Sequence, residues 1–116
     1  MTFFKMKIRH LKKNIEFQNV YKNGKSFANR YFVMYVLENG LSENRLGISV
    51  SKKVGNSVVR HRITRLIRES MRLNGHVFNS GLDIVVTART GAVGIKYQDA
   101  EKSVLQLGRL HNIIIG

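Results

Sequence analysis

Residues 45–72 read RLGISVSKKVGNSVVRHRITRLIRESMR, and they decide the fold because two hydrophobic periods meet inside them. From Arg45 to Ser51 the pattern alternates. Leu46, Ile48 and Val50 fall on one side, and Arg45, Gly47, Ser49 and Ser51 on the other, which predicts a strand. The second side is small and polar, unusual for a strand simply covered by a helix, and predicts a shallow open face. After Gly55 and Asn56 the period changes. Over 56–73, at ~100° per residue, Val59, Ile63, Leu66, Ile67 and Met71 share the side that packs on a sheet. His61, Arg65, Arg68 and Arg72 share the opposite side at spacings of four, three and four, with Arg60 and Arg62 at its edges.

That outer face is almost purely cationic. Glu69 is its single carboxylate, so few internal ion pairs relieve the repulsion. Six of the eight Lys and Arg residues from 45 to 72 are Arg, whose planar fork matches a pair of phosphate oxygens. A face that is merely solvated normally mixes both signs. Lys52 and Lys53 end the strand just upstream, and the exposed amides of the helix start can also hold a phosphate. The candidate polyanion-binding residues are therefore Lys52, Lys53, Arg60, His61, Arg62, Arg65, Arg68 and Arg72.

The remaining composition agrees with a polyanion partner. Twenty Lys and Arg oppose seven Asp and Glu in 116 residues, a net charge of +13. Sixteen of the basic and four of the acidic side chains lie in residues 1–72, so the charge is directed and not spread. Inside cells such a field attracts nucleic acid. The length suits one domain spanning residues 1–116. The absence of cysteine excludes disulfides and thiolate metal sites and suits the cytoplasm. The start, MTFFKMKIRHLKK, lacks the apolar stretch of a secretory signal, and residues 1–12 read as a disordered basic arm. No apolar run approaches the roughly 20 residues that span a bilayer, so no membrane partner is expected.

Other elements complete the outline. NIEFQNVYKNG (14–24) predicts a first helix, capped by Asn14 and ended in a left-handed turn at Gly24, with Phe17, Val20 and Tyr21 on one face. RYFVMYVL (30–37) predicts a strand with Tyr31, Val33, Tyr35 and Leu37 on one side and Phe32, Met34 and Val36 on the other. ENGLSEN reads as a turn that makes 45–51 the second strand of a pair. LDIVVTAR (82–89) predicts another strand, and 97–109 a last helix striped by Ala100, Val104 and Leu107. The fold class is α/β (α+β), a two-layer sandwich with a small mixed sheet and three helices in the order α-β-β-(β)-α-β-α.

GISVSKKVGNSVVRHRITRLIRES (47–70) resembles the signature of the bacterial ribonuclease P protein subunit: a strand ending in S-K-K, then G-N, an R-N-R element and L-I-R-E. Upstream, LKKNIEFQNVYKNGKSFANRYFVMY (11–35) is similar to that family's opening helix and first strands, and DIVVTAR with the closing helix fits it more loosely. The resemblance implies a left-handed β-α-β crossover, against the usual hand. It also implies a large catalytic RNA as partner, with precursor tRNA as substrate, the 5′ leader being cut away. The RNA carries the chemistry with Mg2+ held mainly by RNA, the protein alone binds no cofactor, and no obligate protein partner is implied. The family's leader cleft maps onto Phe17, Tyr21 and Tyr35, while Arg60, Arg62, Arg65 and Arg68 match the motif.

Aromatic rings suit a leader of variable sequence, because stacking tolerates any base. Ordinary core packing is the alternative for Phe17 and Tyr21. Tyr35 neighbours a strand presenting Gly47 and Ser49, which leaves room for a ligand. Two positions depart from the motif: His61 stands where it has Asn, and Thr64 where Lys is frequent.

Three other functions compete. A metal-dependent nuclease needs clustered carboxylates, and the seven acids at 16, 38, 43, 69, 83, 99 and 101 supply no cluster. His10, His61, His76 and His111 show no catalytic spacing and read as surface side chains, so no catalytic residue is expected in the protein. A structural RNA-binding protein would share the composition, and only the motif argues against it. A DNA-reading helix would concentrate Asn, Gln and Arg toward one end; Arg along the whole stripe suits gripping a backbone.

Overall fold

The structure, a computed structural model, describes residues 9–115. Its axis is strand β5 (Leu82–Ala88), buried at six of seven positions. A strand buried on both faces needs a neighbour on each edge and cover on each side. β5 pairs in parallel with β4 (Arg45–Ser49) and antiparallel with β3 (Phe32–Glu38). Outside them lie β2 (Lys25–Ala28), antiparallel to β3, and the short β1 (Arg9–His10), parallel to β4. The mixed sheet has the order β1-β4-β5-β3-β2. With helices α1 (Asn14–Asn23), α2 (Ser57–Asn74) and α3 (Tyr97–Leu110), this is the expected α+β class with its additional strand present.

The pairing of β3 with β4 across residues 38–44 does not occur. β5 lies between them: it is buried at every position but Thr87, whereas β4, partly exposed at both ends, lies nearer an edge. α2 then links β4 to its parallel neighbour β5 as a crossover.

Both faces carry helices. α2 and α3 bury Ile63, Ile67, Met71, Ala100, Val104 and Leu107 against Phe32, Met34, Leu46, Ile84 and Val86. On the other face Val20 of α1 packs with Leu11 and Val85, flanked by Phe17, Tyr21, Tyr35 and Leu37. The two-layer description thus fits α2 and α3 on the sheet, and α1 adds a partial third layer. Val85 explains it, since an apolar side chain on the second face of the central strand needs cover of its own.

Of the arm expected over 1–12, residues 1–8 lie outside the described residues. From Arg9 the chain is part of the fold: β1 joins the sheet, and the Leu11 N–H donates to the Leu46 carbonyl at 2.9 Å while its side chain is buried. Leu11 is the apolar anchor that draws this segment in. Asn14 does not cap α1. The Glu16 carboxylate does, accepting from the Lys12 and Lys13 N–H groups at 2.9 Å each. Gly24 is extended at φ −86° and not left-handed; it is glycine because a Cβ there would stand 2.6 Å from the Val20 carbonyl oxygen and 2.9 Å from that of Val36. Among the described residues no helix is long and apolar enough to cross a membrane.

Candidate nucleic-acid interface

α2 starts where Asn56 accepts a hydrogen bond from the Val59 N–H at 3.0 Å, which ties off one free amide of the helix end. Its outward face carries His61, Arg65 and Arg68, all exposed. Among the described residues neither Arg65 nor Arg68 has a hydrogen-bond or ion-pair partner. Arg62 is exposed as well but held, donating to the Ile95 carbonyl at 2.8 Å. Arg72 is half-buried and paired with Glu69, whose carboxyl is held below its usual pKa by the bond from Arg72. Lys52 and Lys53 are exposed on a turn beyond the end of β4, closed by the Val54 N–H on the Ser51 carbonyl at 3.0 Å.

Arg60 does not flank the stripe. Spacings of seven and eleven put it in line with buried Ile67 and Met71, and it is half-buried with its Nε enclosed and, among the described residues, unpartnered. Thr64 turns its hydroxyl back onto the Arg60 carbonyl at 2.9 Å. The motif departures thus differ in kind: His61 faces outward on the stripe, while Thr64 is occupied within the helix.

The three aromatic candidates meet on the opposite side of the sheet. Phe17 and Tyr21 are one helical turn apart with ring centroids 6.5 Å apart, and Tyr21 meets Tyr35 edge-on at 4.8 Å. All three remain half-buried, so they pack on Val20 and Val85 yet keep part of each ring accessible. Strand register sets what lies beside them. Gly47, Val85 and Tyr35 form one row across β4, β5 and β3, and Ser49, Thr87 and Val33 form the next. Ser49, Thr87 and Val33 are half-buried, and the Thr87 hydroxyl oxygen is enclosed and unpartnered among the described residues. The rings thus stand beside a row of the sheet that carries Ser49 and Thr87, and this side of the sheet is the candidate groove.

Gly47 is what lets α1 sit there. A Cβ at this position would stand 2.6 and 2.8 Å from the Phe17 ring and 3.1 Å from Leu11 Cδ1. Gly47→Ala is expected to cost about 1–3 kcal/mol in urea unfolding by overpacking. The cost should shrink in a Phe17→Ala background, where the clash is gone. An equal cost in both backgrounds would remove Phe17 from the explanation.

One buried charge pair aligns α1 with the sheet. Asp83, 1% exposed, accepts from Arg45 at both oxygens (2.8 and 2.7 Å) and from the Asn39 side-chain amide at 2.9 Å. Arg45 also reaches Glu16 of α1 at 3.3 Å. Burial pushes the Asp83 carboxyl up, but the bonds from Arg45 and Asn39 outweigh it and hold its pKa below the usual value. His111 is half-buried and not a surface side chain. It packs edge-on against Phe27 at 4.8 Å and bonds the Met34 carbonyl at 2.8 Å, and burial holds its pKa down.

Sequence reading missed three residues near the groove. Thr87 is one; its alternation with Val85 on β5 was the available signal. The others are Arg30, 5.5 Å over the Tyr31 ring, and Arg89, which donates to the Asn29 carbonyl at 2.8 Å. Both follow or precede strand ends on the side of the sheet from which Lys52 and Lys53 project. Among the described residues no three His, Asp or Glu side chains are grouped to hold a metal ion.

Comparison with known proteins extends over almost the whole chain. The family model Ribonuclease P matches residues 5–110. A Ribonuclease P protein component from Lachnoclostridium phytofermentans is 65% identical over 104 residues, 90% of this chain and 90% of the relative. One from Clostridium acetobutylicum is 49% identical over 112 residues, 95% of this chain and 94% of the relative. The solved RNase P protein of Staphylococcus aureus superposes with a TM-score of 0.84 at 38% identity, covering 93% of this chain and 99% of that one. That of Thermotoga maritima does so with a TM-score of 0.80 at 33% identity, covering 87% and 96%.

Proposed function

From the premise that the chain belongs to the ribonuclease P protein family, and so is a subunit of a tRNA-processing endoribonuclease with an RNA partner, we propose that its two surfaces serve two RNAs. α2 grips the catalytic RNA through Arg62, Arg65 and Arg68, with His61 and Arg72 alongside and Lys52 and Lys53 at its approach. Arg60, with a buried donor that lacks an acceptor among the described residues, completes this set. The groove of Phe17, Tyr21 and Tyr35 holds the single-stranded 5′ leader of precursor tRNA. Bond cleavage belongs to the RNA, with Mg2+ held mainly by RNA. The complex works in the cytoplasm.

The observation that carries this reading is the division of labour between the two faces of the sheet. The α2 face is dominated by charge, which suits a phosphate backbone. The α1 face offers rings beside a row that carries Ser49 and Thr87, which suits unpaired bases. A general RNA-binding protein has no need of the second face.

Leader dependence tests it. With the assembled complex, precursor tRNA carrying a leader of several nucleotides should bind more tightly than mature tRNA. Phe17→Ala and Tyr35→Ala should each erase about tenfold of that advantage, from ~1–3 kcal/mol per stacked base, and leave mature tRNA binding unchanged. Equal losses for both tRNAs would place these rings in the core alone.

A further inference from the structure

Two polar side chains interrupt the α1 side of the central strand, and they differ in what they bond. Asp83 and Thr87 alternate with Val85 along β5, so all three face the same side of the sheet. The Asp83 carboxylate accepts three hydrogen bonds, two from Arg45 and one from Asn39. The Thr87 hydroxyl oxygen is enclosed as well, yet it has no partner among the described residues. Its neighbours across the strands, Ser49 and Val33, supply none. An enclosed hydroxyl without a partner costs free energy that a valine of nearly the same shape would not.

We propose that Thr87 is a specificity-determining residue of the leader groove: its hydroxyl swings out to hydrogen-bond a leader nucleotide beside the base stacked on Tyr35. This role rests on the reading of the α1 face as the leader site and adds to it the polar contact that the sheet itself makes.

The way the residue is buried supports the movement. Thr87 is half-buried, the one position of β5 that is not closed over, while its oxygen is shut in. The side chain therefore turns its methyl toward the open side of the sheet. A rotation of ~120° about χ1, from one staggered well to another, carries the hydroxyl to where the methyl stands. Register sets what it meets there. The row of Ser49, Thr87 and Val33 comes next after that of Gly47, Val85 and Tyr35. Rows on one face are ~7 Å apart, within reach of the nucleotide next to a base on the Tyr35 ring. Base edges and the ribose 2′-hydroxyl both offer partners to a group that donates and accepts. Stacking tolerates any base, so preference among leaders arises from such a polar contact.

Melts of the free protein, with binding of precursor and mature tRNA to the assembled complex, test this. Thr87→Val removes the oxygen and keeps the shape. It should raise the melting temperature by about 4 °C and cut the advantage of precursor over mature tRNA about fivefold. Thr87→Ser brings the hydroxyl back and should restore that advantage. Single 2′-deoxy and base substitutions along the leader tell ribose from base: at one position the wild-type protein should lose affinity where Thr87→Val does not. A lower melting temperature for Thr87→Val would show that the hydroxyl is satisfied inside the protein, and would overturn the proposal. So would an unchanged leader advantage, a Thr87→Ser as weak as Thr87→Val, or a leader scan insensitive to residue 87 at every position. If Phe17→Ala and Tyr35→Ala also leave the advantage intact, the reading of the groove falls as well. If they erase it and Thr87→Val does not, only the role of Thr87 falls.

Discussion

Replacing Arg65 and Arg68 together by glutamate is expected to weaken binding to ribonuclease P RNA by at least about 100-fold at moderate salt while leaving the thermal melt unchanged. Two lost charge-assisted bonds at ~1.5 kcal/mol each already give that factor, before any repulsion from the new carboxylates. The fold should not notice, because both side chains are exposed and neither has a partner among the described residues. The milder Arg65→Ala, Arg68→Ala pair should make the slope of log affinity against log salt shallower by about 1.4–1.8, the release expected for two phosphate contacts. A filter-binding salt series checks both. An unchanged slope would mean that these arginines face solvent in the complex.

The second large effect is on stability. Asp83→Ala should cost about 3–5 kcal/mol, because it strands the partly buried Arg45 guanidinium and the Asn39 amide without their acceptor. For a domain of this size that is a fall of about 10–20 °C in melting temperature. The pH dependence has a defined sign. The Asp83 pKa is lower folded than unfolded, so its contribution is fully present above the unfolded value of about 4 and is lost as pH falls through the folded value. Wild-type stability should therefore drop below pH ~4 more steeply than that of Asp83→Asn. Parallel curves for the two proteins in calorimetric melts would show that the pair is not worth what its geometry implies. Since Arg45 also holds Glu16, the Asp83 variants should loosen α1 and lower the leader advantage at temperatures where they remain folded.

Much of this arrangement was legible in the sequence, and the failures have physical causes. Periodicity located α2, α3 and the faces of β3 and β4, because each buries one continuous stripe. It could not place β5 between β3 and β4, since a strand's position in a sheet depends on distant partners. The clue was local but easily passed over: Ile84, Val85 and Val86 are three successive apolar residues, so the middle of the strand is apolar on both faces, as a central strand tends to be. Arg60 was read with Arg62 as an edge of the outer stripe, although its spacing to Ile67 and Met71 pointed inward. Glu16 was counted as one scattered acid, whereas it caps α1 and bridges to Arg45.

Cleavage of a precursor tRNA by bacterial ribonuclease P RNA at low millimolar magnesium tests the central claim most directly. It would be measured with this protein, with an equally basic unrelated protein, and with this protein in the absence of the RNA. Accurate removal of the 5′ leader is predicted only when this protein and the RNA are together. Equal rescue by the unrelated protein, or cleavage by this protein without RNA, would contradict it.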